Sequence, residues 1–321
     1  MKAAQIVAPR RIEIVDVEEP DLGSYPEGTV KIKTHLSAIC GTDMPSFVLE
    51  RPPSEYPSRL GLPVHECIGV VAQSNSKRFR QGDGVLALPA QVGGASEYFL
   101  SHEEVTVPLV DYEPKDHILM AQPLGTVIWA CRKLGNLLDR DAVVIGQGPM
   151  GLLISHLLSN LGAKTVVGVD LVDFRLEASC RMRATHTVNP SREDLTAAVA
   201  RITEGRMADL AVEVVGHQME TINQCMDLVK RNGTVLAFGI PDEDIYAFHY
   251  RTLITKNIQV IGSVRPEAQR DFPLAMDMIA QGRIDVSPMI THHLPFTEAQ
   301  QGFEMALNRK NEAIKIVLDY D

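Results

Sequence analysis

One stretch, VVIGQGPMG at residues 143–151, constrains this chain more than any other. A β-branched run ends on Gly146 and passes at once into the apolar, helix-periodic stretch 149–161. Gly146, Gly148 and Gly151 therefore stand as G-x-G-x-x-G between a strand and a helix. That spacing permits a tight turn, close approach of backbone to a pyrophosphate, and close helix packing, while the helix N-terminus offers N–H groups to the anion. A second apolar run, TVVGVD at 165–170, ends on Asp170, 19 positions after Gly151, where a carboxylate meets the ribose hydroxyls of a bound dinucleotide. We read Gly146, Gly148, Pro149, Met150 and Gly151 as the pyrophosphate turn and Asp170 as the ribose partner. The competing reading, a glycine turn in an unrelated α/β sheet together with a solvated Asp at a strand end, requires the two features to coincide at this spacing by chance. A carboxylate there repels a 2′-phosphate, so NAD is expected over NADP. Arg175, five residues on, is placed either toward an adenine or phosphate or in a surface salt bridge.

The alternation continues. Apolar runs at 142–146, 165–169, 210–215, 234–238 and 259–262 are separated by helical periods such as 149–161 and 219–229, which implies βαβ units and a parallel, doubly wound Rossmann sheet. Before this region, short strands at 11–17, 29–36, 66–72, 84–88 and 97–100 lie between Pro and Gly turns, an antiparallel, barrel-like pattern. After about residue 265 come a helix (272–281), a Pro-bounded segment (289–295), a helix (297–308) and a strand (313–318), similar in scale to the first half. The expected organisation is one domain from 1–122 with 265–321 and a nucleotide-binding domain from 123–264, which suits 321 residues.

Residues 142–163 contain no Asp, Glu, Lys or Arg, and by length alone would pass as a membrane span. Gly146, Gln147, Gly148, Pro149 and Gly151 break the run and Ser155, His156, Ser159 and Asn160 dilute it, so a buried strand followed by a helix is the better reading. A net charge of −10 and a pI near 5.5 provide no basic footprint, which argues against nucleic acid or an anionic membrane as partner. The cysteines Cys40, Cys67, Cys131, Cys180 and Cys225 are odd in number, dispersed and without a C-x-x-C pair. The first twenty residues carry mixed charge and no apolar core of a signal peptide. A reduced, cytoplasmic setting is expected.

Two short motifs precede the nucleotide unit: Cys40-Gly41-Thr42-Asp43 after the strand at 29–36, and His65-Glu66 before the strand at 66–72. Thiolate and imidazole are good zinc ligands, but one Cys and one His 25 positions apart are more often a packed thiol and a satisfied histidine. The combination decides. CGTD, HE-x-x-G-x-V and the downstream glycine fingerprint together resemble the zinc-containing medium-chain dehydrogenase/reductases, including the alcohol, sorbitol, threonine and glucose dehydrogenases, over essentially the whole chain. The resemblance implies a GroES-like antiparallel β-barrel domain beside the Rossmann domain. It also implies hydride transfer between an alcohol, polyol or sugar hydroxyl and NAD. Carried over by position, Cys40, His65 and Glu66 become zinc-site residues, Thr42 the hydroxyl that meets the substrate oxygen, and Asp43 the carboxylate that orients the imidazole. Subunit pairing is implied at 259–264, giving a homodimer or homotetramer.

Three positions depart from the family pattern. Gln122-Pro123-Leu124 stands where many relatives read Glu-Pro-Leu, leaving Gln122 as a weak fourth partner or water in its place. Pro45 occupies the position of a relay histidine, so the proton must finish through solvent or a nicotinamide-ribose hydroxyl. VLALPAQVGGASEYF (85–99) has no cysteine where relatives hold a structural zinc, so one catalytic zinc and no structural one are expected. Cys67, two residues after His65, shares its strand face and is read as a buried thiol in preference to a ligand, while Phe47, Tyr56 and Trp129 divide between cleft lining and ordinary core. The competing readings are a metal-free NAD(P)H quinone or enoyl reductase of the same fold, which would lack Cys40 and His65, and a non-catalytic nucleotide-binding protein, which would show damage at Thr42, Asp43 or Asp170.

Overall fold

The computed structural model describes residues 1–320 and separates into two compact units, residues 1–125 with 267–281 and the C-terminal stretch from 290, and residues 126–266 with 282–289. In the first unit, β1 (Lys2–Ala8) and β2 (Arg11–Asp16) form an antiparallel pair. They are followed by β3 (Thr29–Ala38), helix α1 (Met44–Val48), β4 (Glu66–Ser74), β5 (Gly84–Ala87), β6 (Tyr98–His102) and β7 (Thr106–Pro108), then α2 (Lys115–Leu119) and α3 (Ala121–Cys131), which the boundary after Gly125 divides between the units. The second unit contributes β8 (Asp141–Ile145), α4 (Pro149–Asn160), β9 (Thr165–Val169), α5 (Asp173–Arg181), β10 (His186–Val188), α6 (Leu195–Ile202), β11 (Ala208–Glu213), α7 (Glu220–Leu228), β12 (Val229–Ala237), α8 (Tyr250–Lys256) and β13 (Gln259–Gly262). The chain then returns through α9 (Ala268–Ala280), β14 (Ile290–Pro295), α10 (Ala299–Asn308) and β15 (Lys315–Asp319).

The second unit is a six-stranded, wholly parallel sheet in the order β10-β9-β8-β11-β12-β13. In chain order that is 3-2-1-4-5-6, the doubly wound arrangement whose switch point lies between the first and fourth strands. β8 and β9 are buried at every position because helices cover both faces, and this is why 142–163 reads as an uncharged run. No helix of the described residues is long and apolar enough to cross a membrane. β13, at the sheet edge, is exposed except at the half-buried Ile261.

The first unit carries a seven-stranded sheet, antiparallel except for β14–β15 and ordered β14-β15-β3-β4-β5-β7, with β6 also on β3. Its core includes Ile6, Val30, Ile32, Val71, Phe99 and Phe303. The expected fold class, a Rossmann sheet with an antiparallel GroES-like domain, is the one observed. Elements that were not anticipated, such as β1 and β10, are short or irregularly patterned. β10 is a three-residue strand with an exposed start, too brief to carry a period of two.

Candidate metal and coenzyme sites

Strand pairing builds the first site. β3 and β4 run antiparallel with Ala38 opposite Glu66, so the chain leaving β3 at Cys40 passes beside the chain entering β4 at His65. Cys40 caps a short 3-10 turn, Gly41–Asp43, and its backbone N–H donates to Asp43 Oδ2 at 2.9 Å. The other Asp43 oxygen lies 3.0 Å from His65 Nδ1, which leaves Nε2 as the ring atom available to a ligand. Thr42 Oγ1 donates to Cys40 Sγ at 3.2 Å. One ligand atom each from Cys40, His65 and Glu66 lie within 4.8 Å of one another.

A further residue joins them from the far end of the chain. β15 pairs with β3 so that Val317 faces Ala38, which brings Lys315 alongside Cys40. Lys315 Nζ donates to Glu66 Oε1 (2.8 Å) and Oε2 (2.7 Å) and to the Ile39 carbonyl (3.2 Å), and both charged side chains are 1% exposed. No sequence motif marks Lys315, the single lysine at the start of a C-terminal strand.

The electrostatics favour a cation. Burial works against the His65 imidazolium, yet hydrogen bonds to Asp43 and Cys40, together with their charges, push its pKa up to about 12. Burial likewise opposes the Lys315 ammonium, and Glu66 foremost, with Cys40 and Asp43, raises it regardless. With Cys40 as thiolate and His65 as the neutral imidazole that a metal ligand must be, Cys40, Glu66 and Asp43 carry three negative charges against the one on Lys315, and a divalent ion that displaces the His65 proton brings the group to neutrality. A soft thiolate, an imidazole oriented by a carboxylate and one carboxylate oxygen form a donor set suited to zinc. The residues present fit that ion.

The neighbouring candidates separate. Cys67 is fully buried, its thiol pushed up by burial, and lies against Gly94, where a Cβ would sit 2.0 Å from its sulfur. It is not part of the cluster and is the packed thiol of the sequence reading. Phe47 is completely buried against Phe303, ring centroids 5.2 Å apart, so it belongs to the core. Tyr56 packs on that core and donates its hydroxyl to the Leu49 carbonyl, while Trp129 stacks under Lys133 Nζ at 5.0 Å. Gln122 is buried at the start of α3, and Pro45 lies in the first turn of α1.

In the second unit the glycine turn divides its duties. Gly146 has φ +100°, and a Cβ there would press on Val215 at 2.9 Å. Gly151 packs so tightly on the turn that a Cβ would fall 1.8 Å from the Gly146 carbonyl oxygen, whereas a Cβ at Gly148 meets only Arg175 Nη1, at 3.9 Å. The first glycine makes the turn, the third lets the helix close on it, and the second leaves an open approach. Gly148, Pro149 and Met150 are half-buried at the mouth of the turn, with Pro149 opening α4. Asp170 accepts from the Gln147 N–H at 2.7 Å through Oδ2 and from the Val172 N–H at 3.0 Å through Oδ1, with Arg175 Nη1 3.8 Å away.

Two buried residues escaped the sequence reading. The Gln147 side chain is fully buried and bonded to the turn carbonyls of Val144 and Gly146 and to the hydroxyls of Ser155 on α4 and Ser179 on α5. Glu213 ends β11, and its Oε1 accepts from the Val215 and Gly216 N–H groups and the Thr221 hydroxyl at 2.9–3.0 Å, holding the loop that packs on Gly146. Buried polar residues in apolar runs were the available signal, since such groups persist only when satisfied.

Residues 149–281 match the zinc-binding dehydrogenase family and residues 26–111 the alcohol dehydrogenase GroES-like domain. The chain is similar to an L-threonine 3-dehydrogenase from Chromobacterium violaceum, 27% identical with all of both chains covered. It is also similar to a sorbitol dehydrogenase from Bacillus subtilis, 25% identical over 99% of this chain and 97% of that one. Its fold is shared with an alcohol dehydrogenase from Thermus sp. ATN1, with a TM-score of 0.90, 21% identity and full coverage of both chains. Both halves and the full length thus agree, and the chain belongs to the zinc-type medium-chain dehydrogenase/reductase family.

Proposed function

We propose that this protein is a zinc-dependent oxidoreductase that moves a hydride between the hydroxyl-bearing carbon of an alcohol, polyol or sugar and NAD. The observation that carries the reading is the convergence of Cys40, His65 and Glu66, with Asp43 on the outer ring nitrogen of His65. Relatives named as threonine, sorbitol and D-arabitol-phosphate dehydrogenases support the substrate class. When bound, zinc supplies Lewis acidity toward the substrate hydroxyl and the nicotinamide supplies the hydride acceptor.

The chain's own residues do the rest. Cys40 and His65 hold the ion, Glu66 stands beside it under the control of Lys315, and Gln122 is a weak fourth partner or yields to water. Asp43 fixes the imidazole tautomer by accepting a hydrogen bond from Nδ1–H, so that the proton stays on that nitrogen and Nε2 faces the ion. Thr42 Oγ1, while donating to Cys40 Sγ, still offers lone pairs to the substrate hydroxyl, and its exposure gives the proton a route to solvent where Pro45 provides none. Asp170 receives the adenosine ribose and disfavours a 2′-phosphate, and Gly146, Gly148, Pro149, Met150 and Gly151 receive the pyrophosphate, with Arg175 alongside.

One zinc per chain follows from the absence of cysteine in 85–99. The exposed edge of β13, with Val260 on it and the exposed Val264 just beyond it, supports pairing of two subunits there and a homodimer or homotetramer. Five free thiols suit a reducing cytoplasm. The test is metal content with turnover: Cys40→Ser and His65→Ala lose zinc and NAD-linked alcohol oxidation together, assayed over a panel of alcohols, polyols and sugars. Full turnover in a preparation verified metal-free would overturn the reading.

A further inference from the structure

The amide of Gln147 is saturated. It is 0% exposed, Nε2 donates to the Val144 carbonyl (2.9 Å) and the Gly146 carbonyl (3.1 Å), and Oε1 accepts from Ser155 Oγ on α4 (3.1 Å) and Ser179 Oγ on α5 (2.8 Å). An Asn or Gln amide has two donor hydrogens and two acceptor lone pairs, and all four are used here. The residue's own backbone N–H is the 2.7 Å donor to Asp170 Oδ2. One position therefore ties together the glycine turn, the carboxylate at the end of β9, and both flanking helices.

The tie to α5 bears on coenzyme choice. Ser179 lies one helical turn beyond Arg175, on the same face. Gly168 beneath it has no space for a Cβ, which would fall 2.3 Å from Ser179 Oγ and 3.1 Å from the Gln147 amide carbon. The helix is thus drawn close to β9, and its Arg175 guanidinium is held 3.8 Å from Asp170 Oδ2. A guanidinium in that place is partly neutralised by the carboxylate. Released from it, the same group is a ready partner for a phosphate.

We propose that Gln147 is a positioning residue for coenzyme discrimination: through Ser179 it keeps Arg175 against Asp170, and through its N–H it keeps Asp170 turned to the ribose, so that a 2′-phosphate finds a carboxylate and no unengaged cation. The inference rests on the reading of Asp170 as the ribose partner. Ser155 provides an internal control, because it bonds the same amide oxygen from α4 and carries no coenzyme-discriminating side chain with it.

The experiment is titration of NADH and NADPH into the full-length, zinc-loaded protein, followed by nicotinamide fluorescence, so that binding is read without turnover. Ser179→Ala removes one buried hydrogen bond and is expected to narrow the NADH:NADPH affinity ratio about fivefold, and Gln147→Met to narrow it further. Ser155→Ala is expected to leave the ratio within about twofold while removing a bond of the same kind. If Ser155→Ala and Ser179→Ala shift the ratio equally, or if neither shifts it, the proposal is wrong, and this pair decides even should Gln147→Met fail to fold. Asp170→Ala, titrated in parallel, separates the two ideas. An unchanged ratio there removes the ribose reading itself, whereas a changed ratio there with an unchanged ratio in Ser179→Ala removes only the role of Gln147.

Discussion

Replacing Lys315 by methionine retains the length of the side chain and deletes its charge. In the native protein the ammonium spans both oxygens of Glu66 at 2.7 and 2.8 Å, and both groups are 1% exposed. The variant leaves a carboxylate buried beside the Cys40 thiolate with no counter-charge. Removing one partner of such a pair typically costs about 3–5 kcal/mol. At roughly 2–4 °C per kcal/mol for a unit of this size, the metal-free melting temperature should drop by about 6–20 °C. Zinc should recover much of that loss, because a divalent ion supplies the missing positive charge, and the stabilisation by zinc should therefore be larger in the variant than in the native protein. Lys315→Met combined with Glu66→Gln should regain a large part of the metal-free stability, since the buried charge is gone. The assay is thermal unfolding of the chelated and zinc-loaded forms of all three proteins. A chelated Lys315→Met protein that melts with the native one, or a double variant no more stable than the single, would refute the claim that this lysine balances the metal-site carboxylate.

Further outcomes follow from the same geometry. Thr42→Val should lower kcat by about 10²-fold with zinc content unchanged, measured by turnover and metal analysis, because it removes the hydroxyl that meets the substrate proton. Gly151→Ala should abolish NADH binding by driving a methyl into the Gly146 carbonyl, whereas Gly148→Ala should leave the melting temperature of the coenzyme-free protein nearly unchanged, as circular dichroism would show. His156, buried in α4 with Nδ1 unpartnered, has its pKa pushed down to about 4 by burial, with Arg183 adding to the effect. Its folded pKa lies below its unfolded value, so stability should fall as pH drops from about 6.5 toward 4, and His156→Phe should flatten that slope in pH-dependent urea unfolding. His293 has the opposite sign: despite burial, Asp319 and Asp116 raise its pKa. Its contribution is present below about pH 6.5 and is lost as pH rises through the folded pKa. For so exposed a cluster His293→Gln should cost under about 1 kcal/mol at pH 6, detectable as a loss of slope on the alkaline side.

How much of this protein its sequence determined depends on the range of the interactions involved. The β8–turn–α4 unit was legible because each glycine answers a short-range steric demand, the positive φ at Gly146 and the closed contact at Gly151, and because Asp170 follows one helix and one strand later in a contiguous segment. Alternation of apolar runs likewise specified the parallel sheet, since strands buried on both faces must be apolar throughout. The metal cluster was only half legible. Cys40 and His65 are individually ambiguous, and it is the antiparallel register of β3 on β4, with Ala38 opposite Glu66, that brings them to one point. Lys315 could not have been found by spacing: it reaches Glu66 across 249 positions because β15 happens to lie on the other side of β3. Gln147 was visible as a letter inside the motif, yet its partners on α4 and α5 are chosen by helix packing. Local backbone sterics are written into neighbouring residues, whereas the counter-charge for a buried carboxylate and the acceptors for a buried amide are supplied by whichever elements the tertiary fold presses against them, and only the folded chain decides which those are.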